Sequence, residues 1–174
     1  MAKYEFKGKQ PAVGSGSWVH ETAQLIGDVE IGENCFIGPG AALRGDFGPV
    51  QVGDNSSIQD NCVMHVRPGL KCTVGKNTTV GHGAVLHSCE VRDRAVIGMG
   101  STVSDGAVVG NDCLVAECSF VKAGMEIEDG MLVSGNPAVV KGPLRDKQKM
   151  MKDAGSYAYT ELTRQYIGTA RKIE

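Results

Sequence analysis

Aliphatic side chains recur along most of this sequence at steps of six residues. The repeat runs from residue 19 to residue 139, with two interruptions and one five-residue step, and a small residue usually stands four positions after each aliphatic. A six-residue period fits neither an α-helix nor a long strand, but it is typical of a short strand followed by a turn. The repeating positions are Val19, Leu25, Ile31, Ile37, Leu43, Val52, Ile58, Met64, Val74, Val80, Leu86, Val91, Ile97, Val103, Val109, Val115, Val121, Ile127, Val133 and Val139.

Three such units make one triangular coil, and successive coils stack at the spacing of paired strands, roughly 4.8 Å. The repeat therefore predicts an all-β solenoid, a left-handed parallel β-helix of roughly six to seven coils, which is an exception to the usual right-handed crossover. The 24 glycines and the low aromatic content of 5% agree with an interior too narrow for wide side chains.

The repeat is interrupted at "GDFGPVQ" (45–51) and "VRPGLKC" (66–72), where extra residues are expected to form loops at coil corners. Beyond Pro137 the sequence becomes charged and helical in pattern. We therefore divide the chain into a β-helix domain (1–140) and a C-terminal helix (141–174) that packs along it. The apolar stripe expected to face the β-helix consists of Leu144, Met151, Tyr159, Leu162 and Tyr166.

Charge and composition narrow the possible partners. A net charge of −2 gives no electrostatic basis for binding nucleic acid or an anionic membrane, so small molecules and further copies of the chain are the expected partners. No stretch has the apolar length of a signal peptide or membrane span, which predicts a soluble cytoplasmic protein. The six cysteines form no C-x-x-C pair and are expected to be reduced and mostly buried.

The phase of the repeat places three polar residues in one column. The units that start at Leu43, Met64 and Leu86 lie on the same face of successive coils, and their second positions are Arg44, His65 and His87. Neighbouring imidazoles on adjacent coils can approach one point about 2 Å from each nitrogen, as a metal ion requires. Stacked histidines also occur as hydrogen-bonded ladders without metal, so this geometry alone leaves both interpretations open.

His82 stands one position later in its unit and is expected to face away from the column, across a corner. A second subunit would have to bring it to His65 and His87, and a homotrimer with one shared site at each interface does so. Three neutral imidazoles with an open coordination position are typical of catalytic zinc. In such an interface a buried Arg44 needs a partner, and Asp60 of the neighbouring chain is the expected one.

The segments "LRGDFG", "IQDNCVMH", "VGHGAVLH" and "VIGMGS" resemble the γ-class carbonic anhydrases and their relatives. The resemblance extends from residue 11 to about residue 145 and is greatest with the branch of phenylacetate-degradation thioesterases and carnitine-operon proteins. It implies a trimeric left-handed β-helix with zinc, or alternatively iron or cobalt, between subunits. The implied metal ligands are His65, His82 and His87.

The resemblance also implies roles for residues around the metal. Arg44, Asp46 and Asp60 match interface charges, Gln59 matches a glutamine beside the metal-bound water, and Tyr159 matches a tyrosine that reaches the pocket. Two features depart from the family pattern: Phe47 stands where the prototype enzyme has a proton-shuttling glutamate, and the 66–72 loop is short and has no carboxylate. Hydration of carbon dioxide is therefore expected to be weak.

Three functions remain as alternatives to carbon dioxide hydration. The first is metal-dependent hydrolysis of an acyl-CoA thioester, which uses the same activated water. The second is acyl transfer from CoA, since hexapeptide acyltransferases share the "GNPA" turn found at 135–138 and use a single histidine as general base. The third is a non-catalytic trimer that holds metal for structure.

Overall fold

The chain forms a parallel β-helix of seven turns, of the left-handed type that hexapeptide repeats produce, followed by one α-helix. The computed structural model describes residues 2–173. Each turn contributes a short strand to each of three faces, which confirms the solenoid predicted from the repeat. We call these faces the histidine face, the second face and the helix face.

The strands of each face are parallel and follow the coil order, apart from the last strand. The histidine face comprises β1 (Ala2–Tyr4), the first halves of β4 (Gln24–Ile31) and β6 (Ala42–Val52), β8 (Val63–His65), β11 (Val85–His87), β14 (Thr102–Val103) and β17 (Phe120–Val121). The second face comprises β2 (Ala12–Val13), the second halves of β4 and β6, β9 (Cys72–Val74), β12 (Glu90–Val91), β15 (Val108–Val109) and β18 (Glu126–Ile127). The helix face comprises β3 (Trp18–Val19), β5 (Phe36–Ile37), β7 (Ser57–Ile58), β10 (Thr79–Val80), β13 (Val96–Ile97), β16 (Leu114–Val115), β19 (Met131–Gly135) and β20 (Ala138–Pro143).

The core is a set of aligned columns inside the triangular tube. On the histidine face Leu43, Met64, Leu86 and Val103 pair in register on successive coils, and all four are fully buried. Close stacking also explains why some positions are glycine. A Cβ atom on Gly98 would lie 2.5 Å from the backbone nitrogen of Glu117 on the next coil. The six-residue repeat thus fixes both the core and the register between coils.

The repeat ends earlier than the sequence predicts. The repeat predicts that Val139 lies in the core, but 49% of its surface is exposed. The chain reverses after β19, since Gly135 pairs with Ala138, and β20 therefore runs antiparallel to β19. Val133 is the last core aliphatic of the repeat.

The first of the two predicted insertions bulges from a coil corner within one strand. Residues 45–51 belong to β6, which continues on both sides of the coil corner. Gly45 pairs with Gly27 and Val50 with Val29, so residues 46–49 all stand opposite Asp28. The structure confirms the predicted bulge at a coil corner, and both ends of the insertion keep their backbone pairing. Residues 66–71 do form a loop, closed by a hydrogen bond from the Leu70 N–H to the Arg67 carbonyl.

The helix α1 (Asp146–Thr169) runs along the helix face, where Tyr159 packs on Phe36 as the predicted stripe requires. The stripe is wrong at Met151, which is 67% exposed, whereas Lys152 and Thr163 are buried. The Lys152 ammonium donates to the Arg94 carbonyl at 2.7 Å, so its aliphatic stem can cover the β-helix while its charge stays paired. Further along, Tyr166 packs on Trp18, with ring centroids 4.4 Å apart.

Two smaller features bear on the environment of the protein. Across the described residues, no helix combines the length and apolarity that a membrane crossing needs. Five of the six cysteines are buried and Cys118 is exposed, and all six are free thiols.

Candidate histidine-centred site

The structure confirms the predicted column on the histidine face. Arg44 of β6, His65 of β8 and His87 of β11 pair in register on three successive coils. Their neighbours Leu43, Met64 and Leu86 point into the core, and side chains alternate along a strand, so these three residues point outward. Both histidines therefore reach the surface at adjacent coils.

The two imidazoles approach each other edge to edge. His65 Nδ1 and His87 Nε2 lie 3.2 Å apart, and the ring centroids are 5.2 Å apart. We call the two nitrogens that face each other the inner nitrogens and the other nitrogen of each ring the outer nitrogen. Each outer nitrogen lies within hydrogen-bond distance of a carboxylate. His65 Nε2 lies 2.9 Å from Asp46 Oδ1, and His87 Nδ1 lies 2.5 Å from Asp105 Oδ1.

Both carboxylates are held in the ionised form. Desolvation acts to raise the pKa of Asp46, but hydrogen bonds from His65 and Arg44 outweigh it and bring the pKa below its usual value. The pKa of Asp105 is lowered in the same way, where hydrogen bonds from His87 and Arg67 outweigh desolvation. Ionised carboxylates only accept hydrogen bonds, so the two outer imidazole nitrogens carry the protons.

This arrangement determines what the inner nitrogens can do. A neutral imidazole has a single N–H, and the carboxylates take it on both rings. When both rings are neutral, His65 Nδ1 and His87 Nε2 present two lone pairs to each other at 3.2 Å. Two facing acceptors repel each other unless a positive centre lies between them. That centre is either a shared proton or a metal cation. The pair is thus a preformed site for an electrophile.

His82 lies apart from this pair, as the sequence predicts. It is at the turn between β10 and β11, with its side chain 44% exposed and its Nδ1 atom 2.9 Å from Asp60 Oδ2. Its Nε2 atom is 3.3 Å from the hydroxyl of Tyr159 on α1. Within residues 2–173 of a single chain, no group of three or more His, Cys, Asp or Glu side chains is arranged to hold a metal ion.

The remaining predicted residues divide between the two histidine groups. Arg44 Nη1 lies 2.5 Å from Asp46 Oδ2 in the same chain, so Arg44 already has a partner before any subunit contact. Gln59 precedes Asp60 at the corner and is only 4% exposed. Asp60 and Tyr159 thus belong to the His82 group, with Gln59 next to Asp60 in the chain, while Arg44 and Asp46 belong to the His65 and His87 group.

Asp105 and Arg67 are site residues that sequence reasoning missed. Leu86 pairs with Val103, so Ser104 is the next position of the histidine column and Asp105 follows it directly. That phase count was available in the sequence and would have placed Asp105 beside His87. Arg67 Nη1 lies 3.2 Å from Asp105 Oδ2, but it comes from the irregular 66–71 loop, whose conformation the repeat does not specify.

Phe47 stands at the rim of the His65 group. The bulge in β6 leaves it 55% exposed, with its ring centroid 5.9 Å from that of His65. Leu70, on the other inserted segment, is 45% exposed. The position that the resemblance associates with proton transfer is therefore close to the imidazole pair, but it is apolar.

Comparison with known proteins agrees with this architecture. Residues 11–45 match the bacterial transferase hexapeptide (six repeats) family, and residues 71–105 match the hexapeptide repeat of succinyl-transferase. The carnitine operon protein CaiE of Escherichia coli (strain K12) is 41% identical over 162 residues, covering 93% of this chain and 83% of that protein. This chain belongs to the hexapeptide-repeat family. Its relatives confirm the carnitine-operon branch of the resemblance.

Two further relatives extend the comparison. CaiE of Proteus sp. (strain LE138) is 39% identical over 163 residues, covering 94% of this chain and 83% of its own length. The crystal structure of a hexapeptide transferase family protein from Anaplasma phagocytophilum is 34% identical with a TM-score of 0.91, covering 95% of this chain and 98% of that one. Membership of the hexapeptide-repeat family therefore rests on sequence and on fold over nearly the full length.

Proposed function

We propose that this hexapeptide-repeat protein is a metal-dependent enzyme of the γ-carbonic anhydrase type that hydrates carbon dioxide to bicarbonate. The observation that carries the proposal is the 3.2 Å approach of His65 Nδ1 to His87 Nε2 while the other nitrogen of each ring lies against a carboxylate. Both outer nitrogens are committed to carboxylates, so the inner nitrogens are free to bind a cation.

The donor set fits zinc. Two nitrogens bound to one tetrahedral zinc at about 2.0 Å lie about 3.3 Å apart, close to the spacing of the inner nitrogens. Histidines that bind metals usually donate their other N–H to a carboxylate or carbonyl, as His65 donates to Asp46 and His87 to Asp105. Imidazole nitrogen also suits iron and cobalt, so the donors fit a small group of metals.

His82 is the proposed third ligand, supplied by a neighbouring subunit. Like His65 and His87, it has one ring nitrogen within hydrogen-bond distance of a carboxylate, here Nδ1 and Asp60. Outward-facing Val63, Val85, Thr102 and Phe120 lie in register along the histidine face, three of these four residues are apolar, and Val63 is 38% exposed. Burial of the three apolar side chains against another chain would be favourable. A cyclic homotrimer brings the corner of one chain to the face of the next.

When bound, zinc held by three imidazoles supplies Lewis acidity that lowers the pKa of a coordinated water to about 7. The chain's own residues would orient the ligands, the attacking water and the substrate. Asp46 and Asp105 hold the two imidazoles in the ligating tautomer. The Gln59 amide can accept from one water and donate to another oxygen, so it would orient the attacking water toward the carbon. Tyr159, beside His82, would donate to an oxygen of the substrate.

An acyltransferase is the second candidate function. The matched families and the Anaplasma phagocytophilum relative bear transferase names. His87 with Asp105 also has the geometry of a general base oriented by a carboxylate, which could take a proton from an acyl acceptor. This function requires one histidine and no metal.

Metal content and chelator response separate the two candidates. We expect about one zinc, iron or cobalt ion per chain in a purified trimer, and carbon dioxide hydration that is lost with chelator and restored by added zinc. Elemental analysis, sedimentation and stopped-flow pH-indicator assays measure these properties. A metal-free protein that transfers acyl groups from CoA regardless of chelator would contradict the proposal and support the second candidate.

Asp105→Asn should weaken metal binding without unfolding the chain. Asparagine can still accept the His87 N–H but removes the charge that makes the imidazole a better ligand. Loss of such a partner typically lowers metal affinity about 10-fold to 100-fold. Competition with a chromogenic chelator measures the affinity. The matched control is Asp112→Asn, which removes a carboxylate paired with Arg94 at a different corner and should leave the affinity unchanged. If both variants bound metal with equal affinity, Asp105 would have no role in the metal site.

A further inference from the structure

A column of side chains runs along the corner between the helix face and the histidine face. Its members stand two positions after core aliphatics that pair in register on four successive coils. The Gly100 N–H donates to the His82 carbonyl, and the Cys118 N–H donates to the Met99 carbonyl, so the corner itself stacks in step. This corner column consists of Asp60, His82, Met99 and Glu117.

The histidine column on the adjoining face continues over the same coils. Each member stands one position after a core aliphatic that pairs in register with the next, which gives the order Arg44, His65, His87, Ser104 and Lys122. Glu117 and Lys122 are both exposed, and within residues 2–173 of one chain neither has an ion-pair partner. The two columns therefore carry unpaired opposite charges toward the same end of the β-helix.

The two columns have the same spacing along the coil axis. Glu117 lies two coils beyond His82, and Lys122 lies two coils beyond His87. Two coils rise roughly 9.6 Å at the spacing of paired strands. The axial offset between Glu117 and Lys122 is therefore about the same as the offset between His82 and His87.

The proposed shared metal site determines how two chains are aligned along this axis. His82 lies in the turn that leads into β11, so it is already at the height of the His65 and His87 pair in its own chain. A ring of three identical subunits about an axis parallel to the coils leaves equal residues at equal heights. His82 of one chain then meets the imidazole pair of the next, and each further coil of the corner is matched in the same way.

We propose that the corner column binds the histidine face of a second copy of the chain through a Glu117–Lys122 ion pair, two coils from the metal site. This assignment rests on the proposed sharing of the three histidines between subunits. A slip of one coil would bring Glu117 opposite Ser104 and would also move His82 away from its partners. The ion pair thus favours the one alignment in which the site is complete, as complementary charges do at other interfaces.

Charge reversal at the two positions tests the pair. Glu117→Lys and Lys122→Glu each place like charges opposite one another at all three interfaces, so each should raise the equilibrium constant for trimer dissociation at least about tenfold. The double variant restores opposite charges and should return the constant to within about threefold of wild type. Sedimentation equilibrium in the presence of chelator measures this constant without a contribution from metal. Both side chains are exposed, so all three variants should fold.

Cross-linking provides a second measurement that does not require the trimer to dissociate. Glu117→Cys and Lys122→Cys are combined with Cys118→Ser, which removes the exposed native thiol. A short bismaleimide should then join the chains into covalent trimers on a denaturing gel. The matched control replaces Lys122→Cys by Glu126→Cys, an exposed position on the second face, and should remain largely monomeric on the gel.

The outcomes separate failure of the ion pair from failure of the proposed function. A double variant no more stable as a trimer than the single variants, together with no covalent trimer, would overturn the ion pair. Restored association and covalent trimers in a protein that binds no metal would support the ion pair and refute the proposed function. Metal bound by all three histidines, with trimer dissociation unchanged in every charge variant, would refute the ion pair alone.

Discussion

His82→Ala is expected to abolish metal binding and carbon dioxide hydration while the β-helix stays folded. His82 is exposed at a corner, outside the aliphatic core, so its loss should change the free energy of unfolding little. As a proposed direct ligand it should contribute more than the 10-fold to 100-fold of an outer partner, so metal affinity should fall more than about 100-fold. Elemental analysis, with circular dichroism as the test of folding, measures both effects.

Mixing two inactive variants tests whether the site is shared. His82→Ala chains keep His65 and His87, whereas His65→Ala chains keep His82. Co-refolded in equal amounts, the two should assemble trimers in which about one quarter of the interfaces have all three histidines. About a quarter of the wild-type activity should then return, although neither variant is active alone. No recovery in verified mixed trimers would show that the three histidines do not act across an interface.

Phe47→Glu is expected to raise carbon dioxide hydration about 100-fold in dilute buffer. Each turnover must release a proton to solvent, and a carboxylate close to the site can carry it, whereas phenylalanine cannot. Phe47 is exposed and its ring is 5.9 Å from that of His65, so glutamate there needs no burial of charge. Proton transfer by a positioned side chain typically contributes at least 10²-fold. Stopped-flow assays over a series of buffer concentrations measure the gain.

External buffer should partly replace the missing group in the unmodified protein, so the advantage of Phe47→Glu should shrink as buffer concentration rises. Leu70→Glu is a suitable control because Leu70 is also exposed on an inserted segment. Rapid hydration by the unmodified protein in dilute buffer, with no gain from Phe47→Glu, would mean that another residue carries the proton. Inactivity of both forms toward carbon dioxide, with hydrolysis of acyl thioesters, would favour the thioesterase alternative.

The periodic part of the protein was accessible from sequence because a solenoid is nearly one-dimensional. Counting units of six placed the core aliphatics, and counting three units per coil placed Arg44, His65 and His87 in one column. Where the period no longer applies, the predictions were less accurate. The chain reverses before Val139, which leaves that residue outside the core. The helix stripe was also wrong at Met151, since Lys152 covers the β-helix instead.

By itself the sequence determined the fold, the register of the coils and the separation of His82 from the other two histidines, because each follows from the phase of a short repeat. Only the tertiary structure decided the details on which chemistry depends. The pairing of His87 with Asp105 and the close approach of His65 Nδ1 to His87 Nε2 depend on side-chain torsions and on segments 45–51 and 66–71. The position of Tyr159 beside His82 depends on how α1 lies on the helix face, and packing between distant segments sets that position.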